Sequence, residues 1–413
     1  MENPQVSPAP ASNQKFSSYQ KLVVGILVFL QFTIILDFMI LSPLGAILMP
    51  AFQITPQEFG FVVSIYAFSA GIAGFLASGF ADRYDRKKLL MFFYVGFLVG
   101  TLLCALATSY YFLLFARLVT GVFGGVLGSV VFAIVTDLFP FEMRGRVMGF
   151  VQTAFAVSQV FGLPFSLYLS NVWGWHAPFV MIVLLGLVAG VIIFIYLKPI
   201  DEHLKLQTDR KAMHHLAETI STPLYLQAFL TTALLSTGGF MIMPFASAFT
   251  VNNMGIAVSD LPLIYMVTGL CAMVTGPLVG RASDQFGKMP IFIFGTLLSI
   301  LMVSIYTRMD VSPLYAVIIV NAVLFIGIFS RMIPSQALMS SVPEPRSRGA
   351  FMSVSSSLQQ ISGGVASALA GFIVIQQTSG KIERFDILGN VVCGAAILTL
   401  VMMFMIAKKI PKR

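Results

Sequence analysis

The amino-acid sequence predicts an all-α integral membrane protein, with twelve transmembrane helices in two pseudo-symmetric six-helix bundles. Three observations lead there. Hydrophobic residues make up 57% of the 413 residues and charged residues only 10%, where a soluble domain carries roughly 25% charged. The apolar residues gather into runs of about 20, the length that crosses a bilayer core. A short string also recurs: Ser78-Gly-Phe-Ala-Asp-Arg-Tyr-Asp-Arg-Lys-Lys88 is answered by Gly280-Arg-Ala-Ser-Asp-Gln-Phe-Gly-Lys-Met-Pro290, with Asp82 and Asp284 202 positions apart. The same offset lays Phe38-Met-Ile40 on Phe240-Met-Ile242, and one of 204 lays Arg144-Gly145 on Arg348-Gly349. Such a repeat means two halves built on one plan.

Taken in order, residues 1–20 form a polar N-terminal tail. The first apolar run is too long for a signal peptide and lacks a small-residue cleavage site, so it reads as a retained anchor. Runs near 22–49, 57–80, 88–108, 110–136, 147–170 and 177–197 supply spans 1 to 6, a first bundle over 21–197. Runs near 223–249, 259–281, 290–307, 313–338, 350–375 and 387–407 supply spans 7 to 12, a second bundle over 223–407. The stretch 198–222 between them is a polar linker. Its His203, His214 and His215 have no cysteine nearby and read as solvated, so no metal site is expected. Residues 408–413 are a basic tail. Cys104, Cys271 and Cys393 fall in three separate apolar runs, as small buried side chains with no disulfide framework.

Lys and Arg near span ends set the orientation. With the N-terminus inside, the cytoplasmic segments hold Arg83, Arg86, Lys87, Lys88, Arg144, Arg146, Lys198, Arg281, Lys288, Arg348 and the basic tail, while the opposite side holds Arg308, Lys381 and Arg384. Both termini are therefore expected in the cytoplasm of a bacterial-type inner membrane. The net charge of +8 is explained by this placement, so no nucleic-acid partner is expected.

The first string resembles the loop signature of the major facilitator superfamily between spans 2 and 3, Gly-x-Leu-Ala-Asp-Arg-x-Gly-Arg-Lys. Ala81, Asp82, Arg83, Arg86 and Lys87 match it, while Ser78, Phe80 and Asp85 replace Gly, Leu and Gly. The second copy keeps Gly280, Asp284, Gly287 and Lys288, with Gln285 in place of Arg. Span 4 carries Arg117-Leu-Val-Thr-Gly121, similar to the family's Arg-x-x-Gln-Gly, and span 5 keeps only Gly162-Leu-Pro164 of the antiporter motif. The resemblance covers nearly the whole chain. It implies the major facilitator fold and points most toward the drug:proton antiporter and sugar-efflux-like branches.

The paired aspartates suggest a gate. By the pseudo-twofold between halves, Asp82 should meet the start of span 11, near Arg348 and Gly349, and Asp284 the start of span 5, near Arg144 and Gly145. Helix N-termini carry unpaired N–H groups and partial positive charge, each such contact contributing roughly 0.3–2 kcal/mol. These clasps would hold the outward-facing state and break when the inside opens. Asp137, at the inner end of span 4, resembles the family's partner for the loop arginines, here Arg83 or Arg86. Anchoring of these charges among lipid headgroups is the plainer reading.

Of the 17 acidic residues, one lies deep in a span: Asp37 on span 1. A carboxylate at the bilayer centre costs about 2.5–3.5 kcal/mol even on lenient scales, so it should face protein or a cavity. Its equivalent in the second half is Gly239, so the scaffold needs no acid there. Asp37 is the expected proton-coupling acid and Arg117 its partner, loading and releasing a proton as the protein changes conformation. A static ion pair fixing spans 1 and 4 is the other reading.

A solute cavity is expected from Tyr66, Gln159, Phe240, Met241, Met243, Asn321, Arg331, Gln359 and Gln360. The Met and aromatic residues suit an apolar or amphipathic solute. Arg331, late in span 10, either contacts an anionic or polar group or snorkels to the inner surface; for the amides, interhelical hydrogen bonding is the alternative. No ATP-binding loop or catalytic triad occurs, so an enzyme is not expected, nor any cofactor. The reading is a secondary active transporter working by alternating access, proton-coupled and exporting a small organic solute. Uptake or facilitated exchange of a small, possibly anionic, metabolite stands as the alternative. The expected partners are the solute, protons and the lipid bilayer, with the protein acting as a monomer.

Overall fold

Side-chain caps start four helices of the first half. Ser17 and Gln20 form a capping box ahead of α1 (Ser18–Ile40), and Thr55 and Glu58 another ahead of α3 (Pro56–Phe80). Asp85 caps α4 (Arg86–Ala105) through the Lys88 amide, and Ser109 caps α5 (Tyr110–Leu138). Each supplies an acceptor to a first-turn N–H that the helix cannot satisfy itself. The chain is described for residues 16–201, 204, 222–344 and 348–409 of a computed structural model. His203, His214, His215 and residues 410–413 lie outside the described residues.

Two expected spans are interrupted. Span 1 breaks at residues 41–44, where Pro43 lacks the amide a helix needs, and resumes as α2 (Gly45–Phe52). Span 5 runs as α6 (Phe141–Val157), a π-helical turn (Ser158–Gly162) and α7 (Leu163–Trp173). Pro164 explains the π turn: its ring excludes the regular bond back to residue 160, and the extra residue in the turn absorbs the mismatch. Span 6 is α8 (Ala177–Tyr196). The second half comprises α9 (Pro223–Asn252), α10 (Leu261–Phe286), α11 (Lys288–Tyr306), α12 (Leu314–Ser340), α13 (Arg348–Ile373) and α14 (Phe385–Lys409), with a two-residue hairpin between the last two.

Among the described residues, eleven spans are long and apolar enough to cross a membrane. The twelfth crossing, α13, is more polar because it carries serines where it meets α3. It lies antiparallel to α3, with Gly60 against Ser367 and Gly371, and Gly71 against Ser357 and Ile361. Those eleven residues of α3 rise about 16 Å, so α13 shares its depth. Small residues let the two backbones approach, the usual means of packing helices where lipid supplies no hydrophobic drive.

The ends of the bundle are tied by different contacts. At the end bearing the termini, the Lys198 amide donates to Tyr19, the Arg86 amide to the Ile200 carbonyl, and Lys409 Nζ to Gln227. At the far end, His176 Nδ1 donates to the Ala105 carbonyl at 2.6 Å, and Asn253 exchanges two hydrogen bonds with Ile382 at 2.8 Å each.

Candidate functional site

Asp37 is completely buried on α1, and Arg117, 1% exposed, reaches it from α5. Arg117 Nη1 donates to Asp37 Oδ2 at 2.9 Å and lies 3.4 Å from its main-chain carbonyl. Thr101 on α4 donates its hydroxyl to the other carboxylate oxygen at 3.0 Å. The guanidinium also lies over the Tyr66 ring of α3, 4.3 Å from its centroid. Four helices thus converge on one charge pair. Gly121 permits it: a Cβ there would sit 2.6 Å from the Tyr66 carbonyl, so glycine lets α3 and α5 close and puts Tyr66 under the arginine. Arg117 Nε is buried without a partner among the described residues. Thr120, which stands where the family has Gln, bonds the Ala116 carbonyl and lies 3.7 Å from Cys104 Sγ.

At the basic end, Arg86 donates through Nε to Asp137 at 2.8 Å and through Nη1 to the Ala81 carbonyl at 2.8 Å. Arg83 is exposed. Arg144, expected near a gate, instead closes the junction below α5, donating to the Phe139 and Thr136 carbonyls; such carbonyls at a helix end lack intrahelical donors. Asp85, which departs from the family glycine, accepts from the Ile200 amide at 3.2 Å as well as capping α4. Asp284 is exposed and makes no hydrogen bond or ion pair among the described residues. A Cβ at Gly145 would meet nothing within 4 Å, so the expected contact between Asp284 and the start of span 5 is not made in this structure. The side-chain surroundings of Asp82, Arg348 and Gly349 lie outside what the structure describes.

The two bundles meet toward the far end. The Phe38 and Phe240 rings, equivalent under the repeat, lie 5.7 Å apart, and Phe38 packs on Tyr66 at 5.3 Å. Beyond them, Ser247 donates to the Ser42 carbonyl at 2.9 Å, and a Cβ at Gly45 would touch the Pro244 carbonyl at 3.0 Å. Asn171 reaches the Val258 carbonyl at 3.3 Å. A Cβ at Gly269 on α10 would fall 2.8 Å from the Gln159 main chain, so α10 presses on the π turn. Toward the basic end, a Cβ on Gly149, Gly276 or Gly280 would meet nothing within 4 Å.

The expected cavity residues divide. Tyr66 is buried beneath Arg117, Met241 is core at 2% exposure, and Gln159 is 4% exposed within the π turn. These three are packed inside the protein in this structure. Phe240, Met243, Asn321 and Gln360 are half-buried and Gln359 is exposed; the Asn321 amide bonds back to the Val317 carbonyl. Arg331 does not snorkel. It is 8% exposed, and neither Nε nor Nη2 has a partner among the described residues. Thr101, the Asp85 tether and the Gly269 contact were missed from sequence. Asp85 alone left a signal, as a departure from the motif.

A family model described as Major Facilitator Superfamily matches residues 27–367. This chain belongs to the Major Facilitator Superfamily. It is a multi-pass membrane transporter with bacterial relatives. An uncharacterized MFS-type transporter of Bacillus subtilis (strain 168), YceJ, is 27% identical over 345 residues, covering 83% of this chain and 86% of its own. Multidrug resistance protein 2 of the same organism is 23% identical over 281 residues, covering 67% and 70%. Two solved structures share the superfamily fold. A bacterial homolog to the human lysosomal transporter Spinster, inward-facing, aligns with TM-score 0.71 at 16% identity, covering 95% and 96% of the two chains. A mutant of the nucleoside transporter NupG aligns with TM-score 0.74 at 12% identity, covering 94% and 99%.

Proposed function

We propose that this superfamily member exports a small amphipathic organic solute in exchange for protons, with Asp37 as the proton-carrying acid and Arg117 as its counter-charge. The observation that carries the reading is the sealed pair of Asp37 and Arg117, with Thr101 on the second carboxylate oxygen. Burying two charges costs several kcal/mol each unless their geometry repays it, and the second bundle keeps Gly239 in the equivalent place. A proton on Asp37 removes the attraction and frees Arg117 to lean on Tyr66. The relative energy of two conformations then depends on proton binding, which is what coupling requires.

The excess of Lys and Arg at the end bearing the termini supports a cytoplasmic assignment for that end. On that assignment this conformation is sealed outward and parted inward. The aspartate clasps belong to the opposite conformation, a reading supported by the unpartnered Asp284 and the open space at Gly145. Phe240, Met243, Asn321, Gln359 and Gln360 would line the solute path from the second bundle. The relatives named multidrug resistance proteins favour export. A second reading, uptake or exchange of an anionic metabolite, is favoured by the unpaired guanidinium of Arg331.

The test is a thermal-stability screen of solutes on the purified protein, followed by transport in liposomes under an imposed pH gradient. Asp37→Asn should abolish gradient-driven accumulation while leaving solute binding. Full retention of gradient dependence in that variant would overturn the proposal, and transport of the native protein that ignores the gradient would select facilitated exchange.

A further inference from the structure

The second bundle holds a buried arginine without an acid. Arg331 projects from α12 toward α9, where a Cβ built on Gly238 would lie 3.7 Å from its Nη1. Its Nε and Nη2 are buried without partners, and no carboxylate pairs with it among the described residues. Ser299 Oγ, against Gly327 one turn earlier on α12, is likewise buried and unpartnered. An isolated buried guanidinium is costly, and proteins normally match such a charge.

The repeat identifies what is missing. Phe38 and Phe240 are equivalent by sequence and meet ring to ring between the bundles. Asp37 therefore corresponds to Gly239, beside Gly238. In the first bundle span 1 supplies the carboxylate that span 4's arginine needs; in the second, span 7 supplies two glycines, and Arg331 stands twelve residues beyond Ile319, the position equivalent to Arg117 at the offset of 202. Gly239 is exposed, and a Cβ there would meet nothing within 4 Å. Gly238 itself is buried, and a Cβ there would also touch Val392 at 3.4 Å, so the exposed Gly239 is the open side of this pair.

We infer that Arg331, with the Gly238–Gly239 gap, is the docking point for an anionic group carried by the transported solute, a carboxylate or a phosphate. The solute completes the charge pair that Asp37 completes in the first bundle. Charge-assisted bonds to a planar guanidinium suit either group, and the half-buried Phe240 and Met243 beside the gap suit an apolar body behind it. This rests on the chain being a solute transporter but not on proton coupling or direction, so the Asp37→Asn transport test and the test below fail separately.

The test measures binding to the full-length purified protein by thermal shift and equilibrium titration. The probes are 1-naphthoate, decanoate and phenyl phosphate, each against its uncharged counterpart (1-naphthamide, decanamide and phenol). At least one anion should bind more tightly than its counterpart, and Arg331→Gln should weaken it by about ten- to a hundredfold, with Arg331→Lys in between. Gly238→Asp should supply the acid in cis: it should raise the melting temperature without probe and remove the preference for anions, while Gly238→Asn should not. The inference is overturned if no anion binds, if counterparts bind as well, or if Gly238→Asp leaves anion binding intact.

Discussion

Arg117 and Asp37 are joined across two helices by one ion pair of 2.9 Å in a site where neither side chain meets solvent. In such a place the cost of removing one partner exceeds the worth of the pair, because the remaining charge stays buried. Arg117→Leu should destabilise the protein by about 3–5 kcal/mol. The double variant Asp37→Asn with Arg117→Leu should recover most of that loss without recovering gradient-driven transport. Unfolding in detergent, set beside liposome transport, separates the two effects. Recovery of both would mark the pair as purely structural.

Thr101 offers a milder probe of the same site. Its hydroxyl lies 3.0 Å from both Asp37 Oδ1 and the Phe97 carbonyl of its own helix, so these two acceptors share its one proton. Thr101→Val keeps the shape and removes the bond, which should cost about 1.5–3 kcal/mol, the range for hydrogen bonds to charged groups. In the Asp37→Asn background the same change should cost less, and a double-mutant cycle on melting temperatures measures the difference.

Asp85 holds the start of α4 and the Ile200 amide together. Asp85→Ala should lose about 1 kcal/mol from the cap alone, plus the tether to the segment after α8. Asp85→Asn, whose single carbonyl oxygen can keep only one of the two amides, should lose less. Thermal unfolding of the two variants checks the order, and equal losses would mean that the charge matters more than the acceptor.

Arg86 and Asp137 make the deepest ion pair of the basic end, at 2.8 Å. Exchanging them, as Arg86→Asp with Asp137→Arg, should not restore stability. The new carboxylate would face the Ala81 carbonyl, which now accepts from Arg86 Nη1, and two acceptors repel. The exchange should remain at least as unstable as Asp137→Asn alone in thermal unfolding.

Gly269 controls how closely the bundles approach at the π turn. A methyl there would fall 2.8 Å from the Gln159 carbonyl carbon and oxygen, which are backbone and yield little. Gly269→Val should therefore penalise this conformation by about 1–3 kcal/mol, as overpacking does. The population should move toward the conformation opened at the far end. A single cysteine placed at Ser247, in a chain without its three native cysteines, should then react faster with an impermeant maleimide applied from that side.

Much was legible in the chain itself. Composition, apolar runs and the repeat determine a two-bundle membrane fold, because lipid imposes the length and polarity of each span residue by residue. The cost of a deep charge singled out Asp37 and Arg117 by the same logic. Only the tertiary structure decided which groups complete the site. Thr101 is an ordinary threonine until α4 turns it toward Asp37, and Arg331 reads as a snorkelling residue until α12 aims it at Gly238. The burial of Tyr66, Met241 and Gln159 likewise follows from which helices pack around them. Burial cost belongs to a residue and its depth, so it can be read along the chain. Pairing belongs to which helix faces meet, and small residues such as Gly121 and Gly269 settle that by allowing close approach to Tyr66 and Gln159, 55 and 110 residues away along the chain, only once the bundles are assembled.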